Sequence, residues 1–297
     1  MKFKSYLVSL LIITLAFFVG HDVFAVSTVA DKPDTDLRLT AYCTAGTART
    51  LLLPEARTKA LATLERFGMT GIIIESNRGG SALAEAEMVL LRDFFLGHGY
   101  RVAAGMATVP GADWGVRANE GLAWLNFQAP KTQADIERSV RAAARVFDTL
   151  IIDDFLCSGD KSAESDAARR GRDWGSYRRG IMTSLSQRMI IGPAHEENPN
   201  IKVVIKFPQS YDRYHNFGYD VEREPQLFDE VWVGTETRGQ YTQRFGFTQP
   251  YEGFVNYRWI QSLSRGKMGS AWFDYGDCDG PDFVEQAWQT VLAGARD

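Results

Sequence analysis

The sequence predicts an α/β fold of the (β/α)8 TIM-barrel type, on three observations. Short apolar runs without polar alternation recur at spacings of tens of residues, as in Gly71-Ile72-Ile73-Ile74 and Thr149-Leu150-Ile151-Ile152, and such runs suit strands buried on both faces. Amphipathic helical patterns separate them, as in successive βαβ units. Most of the runs end on polar or charged residues, and parallel α/β folds bind ligands at those carboxyl ends.

The chain opens with Met1-Lys2-Phe3-Lys4, an apolar stretch from Tyr6 to Gly20, and Val23-Phe24-Ala25. A basic start, an apolar segment short for a membrane span, and small residues before a cut after Ala25 read as a secretory signal peptide. Residues 1–25 are therefore expected to be a signal peptide and 26–297 one barrel domain. That domain is expected to be secreted or periplasmic, with no membrane association after signal removal. Losing Lys2, Lys4 and Asp22 leaves 31 basic against 36 acidic residues, so the net charge moves from −4 to −5. Neither a basic stripe nor a nucleic-acid motif is present, which argues against a nucleic-acid partner. Three cysteines, Cys43, Cys157 and Cys278, do not build a disulfide scaffold.

Seven strands are predicted in order. The first, 37–42, leads to a helix over 54–64 that starts at Pro54-Glu55, proline and an acid in a first turn. Strand 71–75 ends on Glu75, a loop through Gly79-Gly80 enters a helix over 82–97, and strand 101–106 follows. The connection 107–130 has no clear period but carries Trp114 and Trp124, and it is read as a rim of the site. A helix over 132–146 returns the chain to strand 149–153, which stops on Asp153 and Asp154. A helical run 174–191, ended by Pro193 and the Asn198-Pro199-Asn200 turn, precedes strand 201–207. Strand 230–234 is followed by Glu236, and a helix over 255–264 by strand 270–273, which ends on Asp274. The last helix is 283–295, with Trp288, like Trp232, expected in the core. An eighth strand is missing at the C-terminus, and the expectation is a fragment whose closing strand is encoded elsewhere or lost.

Aligned by strand, the tips carry Tyr42, Glu75, Asp153 with Asp154, Lys206, Glu236 and Asp274. Acids at successive tips face one another across a barrel mouth. Two carboxylates, one giving a proton and one attacking or activating water, are what glycosidic cleavage requires. Lys206 and Arg238 are placed to keep an acid ionised, and Trp114, Trp124, Tyr211 and Trp272 to stack on sugar faces. Histidines occur singly, no Cys-x-x-Cys or His-Glu-x-x-His spacing exists, and neither a serine nucleophile elbow nor a phosphate-cradling glycine loop is present, so no metal and no cofactor are expected.

Phe147-Asp148-x-x-x-x-Asp153 is similar to the Asp-x-x-x-x-Asp pattern of several retaining α-glycosidase families within the (β/α)8 glycoside hydrolases. The segments Ile152-Asp153-Asp154-Phe155, Ile205-Lys206-Phe207-Pro208 and Gly234-Thr235-Glu236-Thr237-Arg238 also resemble a group of exported bacterial glycosidase-like barrels. The resemblance covers about 37–295. It implies a retaining glycoside hydrolase acting on a poly- or oligosaccharide, with Asp153 as nucleophile, Glu236 as acid/base and Asp154 orienting substrate. Read from the residues themselves, Glu75, Lys206, Arg238 and Asp274 are expected to bind the carbohydrate or to serve as structural charges beside it. The alternative is a non-catalytic carbohydrate-binding barrel, or a lapsed enzyme.

Overall fold

The computed structural model describes residues 37–118, 124–153, 156–239, 241–242 and 246–297; Asp154 and the expected signal segment lie outside them. Among the described residues seven parallel strands form one curled sheet in chain order: β1 (Thr40–Cys43), β2 (Gly71–Arg78), β3 (Arg101–Ala107), β4 (Thr149–Asp153), β5 (Lys202–Phe207), β6 (Glu230–Gly234) and β7 (Met268–Trp272). The connecting helices are α1 (Pro54–Arg66), α2 (Glu85–Gly97), α3 (Pro130–Ala144), α4 (Trp174–Leu185), α5 (Tyr251–Leu263) and α6 (Gly280–Ala293). This is the barrel architecture without its eighth strand.

Strand parity divides the core in two, because successive side chains point to opposite faces. Ile72, Ile74, Leu150, Ile152, Val203, Ile205, Val231 and Val233 face the helices in the larger cluster. Ile73, Ile151, Val204 and Trp232 form a smaller inner cluster with Tyr42, Ala103 and Trp272 packed against it. Two residues further along the same strands lie Glu75, Gly105, Asp153, Lys206 and Gly234, on the inner face by the same parity. Gly105 leaves room there for the Tyr42 ring, which a β-carbon would meet at 2.8 Å.

Sequence signals set the helix starts. Proline occupies the first turn of α1, α3 and α6, and the Asp173 and Asp279 carboxylates accept from Ser176 N and Asp282 N to cap α4 and α6. Two expectations fail. The run that begins at Trp174 is not stopped by Pro193 but ends at the Asn198-Pro199-Asn200 turn: α4 passes into a π-helical segment, Ser186–Ile191, and a further helical piece, Gly192–Glu197, with Asn198 as its C-cap. Pro193 sits in the first turn of that piece, where its missing N–H costs little. Trp288 is 62% exposed, beside exposed Val284 and Leu292. The buried side of α6 is instead Gln286, Thr290 and Ala293, whose polar members tie strand tips together.

The gap between β1 and β7 holds the last two residues. Arg38 N donates to Arg296 O at 2.7 Å, and Ala271 N donates to Asp297 O at 3.2 Å. The Asp297 carboxylate accepts from Thr40 Oγ1 at 2.6 Å and pairs with Arg101 at 2.5 Å. It thus joins the amino ends of β1 and β3 to the chain terminus. Asp297→Ala is expected to cost about 1–2 kcal/mol, the range for hydrogen bonds to a half-screened charge, read as a lower urea midpoint at unchanged slope.

Glu224, fully buried, receives Asp220 N at 2.9 Å, while its other oxygen has no hydrogen-bond partner among the described residues. Burial pushes its carboxyl from 4.5 up to about 8, with the nearby Asp220 charge also raising it, while the Asp220 amide and Arg223 oppose the shift. A raised folded pKa means that the folded chain retains a proton the unfolded chain has released. Stability from this group is therefore fully present below about pH 4.5 and is lost as pH rises to about 8. Glu224→Gln is expected to flatten that decline in denaturation curves recorded from pH 4 to 9.

Candidate active site

Each tip residue is placed by its strand and fixed by short local contacts. On β2, Glu75 is fully buried: Oε1 accepts from Tyr42 Oη at 2.7 Å, Oε2 from Ala45 N at 2.7 Å, and Arg78 Nε donates to both oxygens at 2.8 and 3.0 Å. Burial, with Asp153 and Glu75 close by, pushes the Tyr42 phenol well above its ordinary range, so it stays a neutral donor. Burial and then Glu75 push the Cys43 thiol up to about 12, which leaves it unreactive.

Arg78 turns from Glu75 to Asp153 on β4, with Nη2 3.4 Å from Oδ2. Lys206 on β5 reaches Asp153 Oδ1 at 3.1 Å and Glu236 Oε1 at 2.6 Å. Glu236 Oε2 lies 3.2 Å from Arg238 Nη2, which reaches Asp274 Oδ2 at 2.8 Å, and Arg238 Nε reaches Asp274 Oδ1 at 3.1 Å. Four carboxylates and three cations therefore alternate without a break from β2 to the end of β7. Side chains of Asp153, Lys206 and Glu236 are 3–4% exposed, whereas those of Arg78 and Asp274 are each 34% exposed, so solvent reaches the line at Arg78 and at Asp274.

The segment after β6 is held tightly. Thr235 N donates to Trp272 O at 2.7 Å, and the Thr235 hydroxyl meets the Thr290 hydroxyl of α6 at 2.6 Å. Arg238 adopts φ 56°, a left-handed conformation that costs a non-glycine residue about 1 kcal/mol or more. That turn aims its guanidinium back at Glu236 and Asp274. Trp272 supplies an aromatic wall: its ring centroid is 4.1 Å from Lys206 Nζ and 4.5 Å from the Tyr42 ring centroid.

Of the residues singled out in the sequence, Glu75, Asp153, Lys206, Glu236, Arg238, Asp274 and Trp272 converge in this cluster. Trp114, Trp124 and Tyr211 stand elsewhere. Trp114 is buried with its Nε1 donating to Ser139 Oγ of α3 at 3.1 Å, Trp124 is buried and stacked on Phe217 at 5.3 Å, and Tyr211 meets Trp259 edge-on at 6.4 Å. The two tryptophans anchor the connection after β3 rather than line a wet cleft. Close approach of Gly111 to Gly79, where a β-carbon would stand 1.6 Å from a carbonyl oxygen, fixes that connection against the β2 turn. Asp148 lies at the other end of β4 and accepts from Asn198 at 3.2 Å. Arg78 was not singled out. Its signal is the Glu75-x-x-Arg78 spacing just before Gly79 and Gly80, both at positive φ. Among the described residues no group of three metal-binding side chains is present.

Comparison with known proteins agrees with this architecture. A curated relative, an uncharacterized protein of Saccharolobus solfataricus, is 27% identical over 264 residues, which cover 80% of this chain and 43% of that protein. The chain thus spans less than half the length of that relative. Among solved structures, the catalytic domain of a β-amylase from Paenibacillus polymyxa superposes with a TM-score of 0.54 at 10% identity, covering 88% of this chain and 91% of that one. The GH5_18 protein of Streptomyces cattleya, in complex with GlcNAc, gives a TM-score of 0.54 at 11% identity, covering 87% and 67%. At these identities the structures share the fold. Residues 26–297 match the family described as "Probable glycosyl hydrolase, catalytic domain", and the chain belongs to that family.

Proposed function

We propose that this chain hydrolyses glycosidic bonds of a poly- or oligosaccharide with retention of configuration, using Asp153 as nucleophile and Glu236 as acid/base. The observation that carries the reading is the ammonium shared by the two acids. Contacts of 3.1 and 2.6 Å to one nitrogen put Asp153 Oδ1 and Glu236 Oε1 no more than 5.7 Å apart. Carboxyl groups about 5–5.5 Å apart suit a double displacement, whereas inversion needs about 6.5–9.5 Å to admit a water. In the first step Asp153 bonds to the anomeric carbon as the glycosidic C–O bond breaks and Glu236 gives its proton to the leaving oxygen. In the second, water attacks that carbon, Glu236 takes the water proton, and Asp153 leaves as carboxylate. Trp272 offers a stacking face, and Arg78 and Asp274, the half-exposed members of the line, are placed to meet sugar hydroxyls. Export by residues 1–25 belongs to the same reading.

A second reading, a carbohydrate-binding barrel without turnover, is favoured by one observation: Asp153 and Glu236 are each flanked by two cations and nearly buried. A panel of p-nitrophenyl glycosides, assayed with the wild-type chain and Asp153→Asn, separates the two. Acid-dependent release by the wild type alone supports hydrolysis, and binding without release supports the second reading.

A further inference from the structure

Among the described residues Lys206 alone touches both acids. The two flanking arginines are committed outwards: Arg78 donates its Nε to both Glu75 oxygens, and Arg238 engages both Asp274 oxygens. Their contacts to the pair are the longer ones, 3.4 Å for Arg78 to Asp153 and 3.2 Å for Arg238 to Glu236. The face of Trp272 lies 4.1 Å from the Lys206 ammonium and favours a cation without competing for its protons. The Lys206 side chain is 4% exposed and leaves β5 between Ile205 and Phe207, both fully buried, so the anchoring backbone has little freedom to shift.

We propose that Lys206 is the positioning residue of the acid pair: one buried ammonium fixes the Asp153–Glu236 spacing and balances their charges, and neither arginine can replace it. The proposal rests on the hydrolase reading only for its effect on turnover. Its effect on the two carboxylates follows from the geometry alone. Without the ammonium, two buried carboxylates within 5.7 Å face each other, and repulsion either spreads them or forces a proton onto one. Among the described residues, the other charged and titratable neighbours would not compensate. Glu75 and Asp274 add negative charge on either side, Tyr42 is held neutral, and the Tyr214 phenol, pushed up by burial and by Glu236, stays neutral as well.

The test is Lys206→Met, which keeps length and apolar stem while removing the charge. Its urea midpoint is expected to fall at pH 7 and to recover most of the way to wild type at pH 4, where a proton stands in for the ammonium. The double variant Lys206→Met with Glu236→Gln, which removes one of the facing charges, is expected to regain midpoint at pH 7 relative to Lys206→Met. If the single variant is unfolded at pH 7, a folded double variant gives the same answer. On the glycoside cleaved best by the wild type, Lys206→Met is expected to lose about 100-fold in kcat with KM changed by less than about threefold, as for a group that orders the reacting acids without holding substrate. A midpoint loss equal at pH 4 and pH 7 and unrelieved by Glu236→Gln would mean that Lys206 merely packs, and would overturn the proposal. Absence of turnover by the wild type, with the stability pattern intact, would sink the hydrolase reading and leave the clamp standing.

Discussion

Asp153→Asn is expected to lower kcat on aryl glycosides by about 10³-fold or more, equivalent to about 4 kcal/mol of lost transition-state stabilisation. An amide keeps the size of the side chain and can still meet Arg78 or Lys206, so folding and sugar affinity should change little. What it lacks is the negative oxygen that bonds to the anomeric carbon. Glu236→Gln gives the contrasting result. Without a proton donor, glycosides with poor leaving groups should lose about 10²–10⁴-fold, while dinitrophenyl glycosides, which need no proton to depart, should lose much less in the first step. A uniform loss across leaving groups would exchange the roles of the two acids or remove Glu236 from the chemistry. Wild-type-like rates in Asp153→Asn would remove Asp153 as the nucleophile.

Phe207→Ala should be the most damaging of the core changes considered, costing about 3–5 kcal/mol, measured as a large fall in urea midpoint with the slope preserved. Phe207 is fully buried and packs at 5.7 Å on Tyr214 and 5.5 Å on Tyr219, two rings that belong to the connection between β5 and β6. Tyr214 in turn donates to Pro208 O and meets Asn256 of α5 at 3.2 Å. Removing the ring therefore leaves a cavity under the residue next to Lys206 and loosens the loop that covers it. Activity should fall together with stability, unlike Asp153→Asn, where they separate.

The strand spans 149–153 and 230–234 were legible to the residue, because continuous β-branched runs bounded by polar residues admit few other structures. The first strand begins at Thr40, three residues later than its apolar residues predict, since Leu37 and Leu39 are apolar yet exposed. The acids were found because they end strands. Arg78 carries no such signal because it continues β2 past the apolar run, on a stretch that reads as loop, and Trp288 lies exposed because an apolar stripe on a helix does not say which neighbour covers it.

The order of elements, the parallel sheet and the inner-face parity of Glu75, Asp153 and Lys206 were determined by the chain itself, since period-2 alternation and apolar runs are local properties. Which charge meets which was decided only by the tertiary structure. Curling of the sheet brings β2, β4, β5 and the segment after β6 within ion-pair distance, and spacing in sequence carries no measure of that curvature. The placement of Trp114 and Trp124 inside, and of one lysine between two acids, follows from that closure alone.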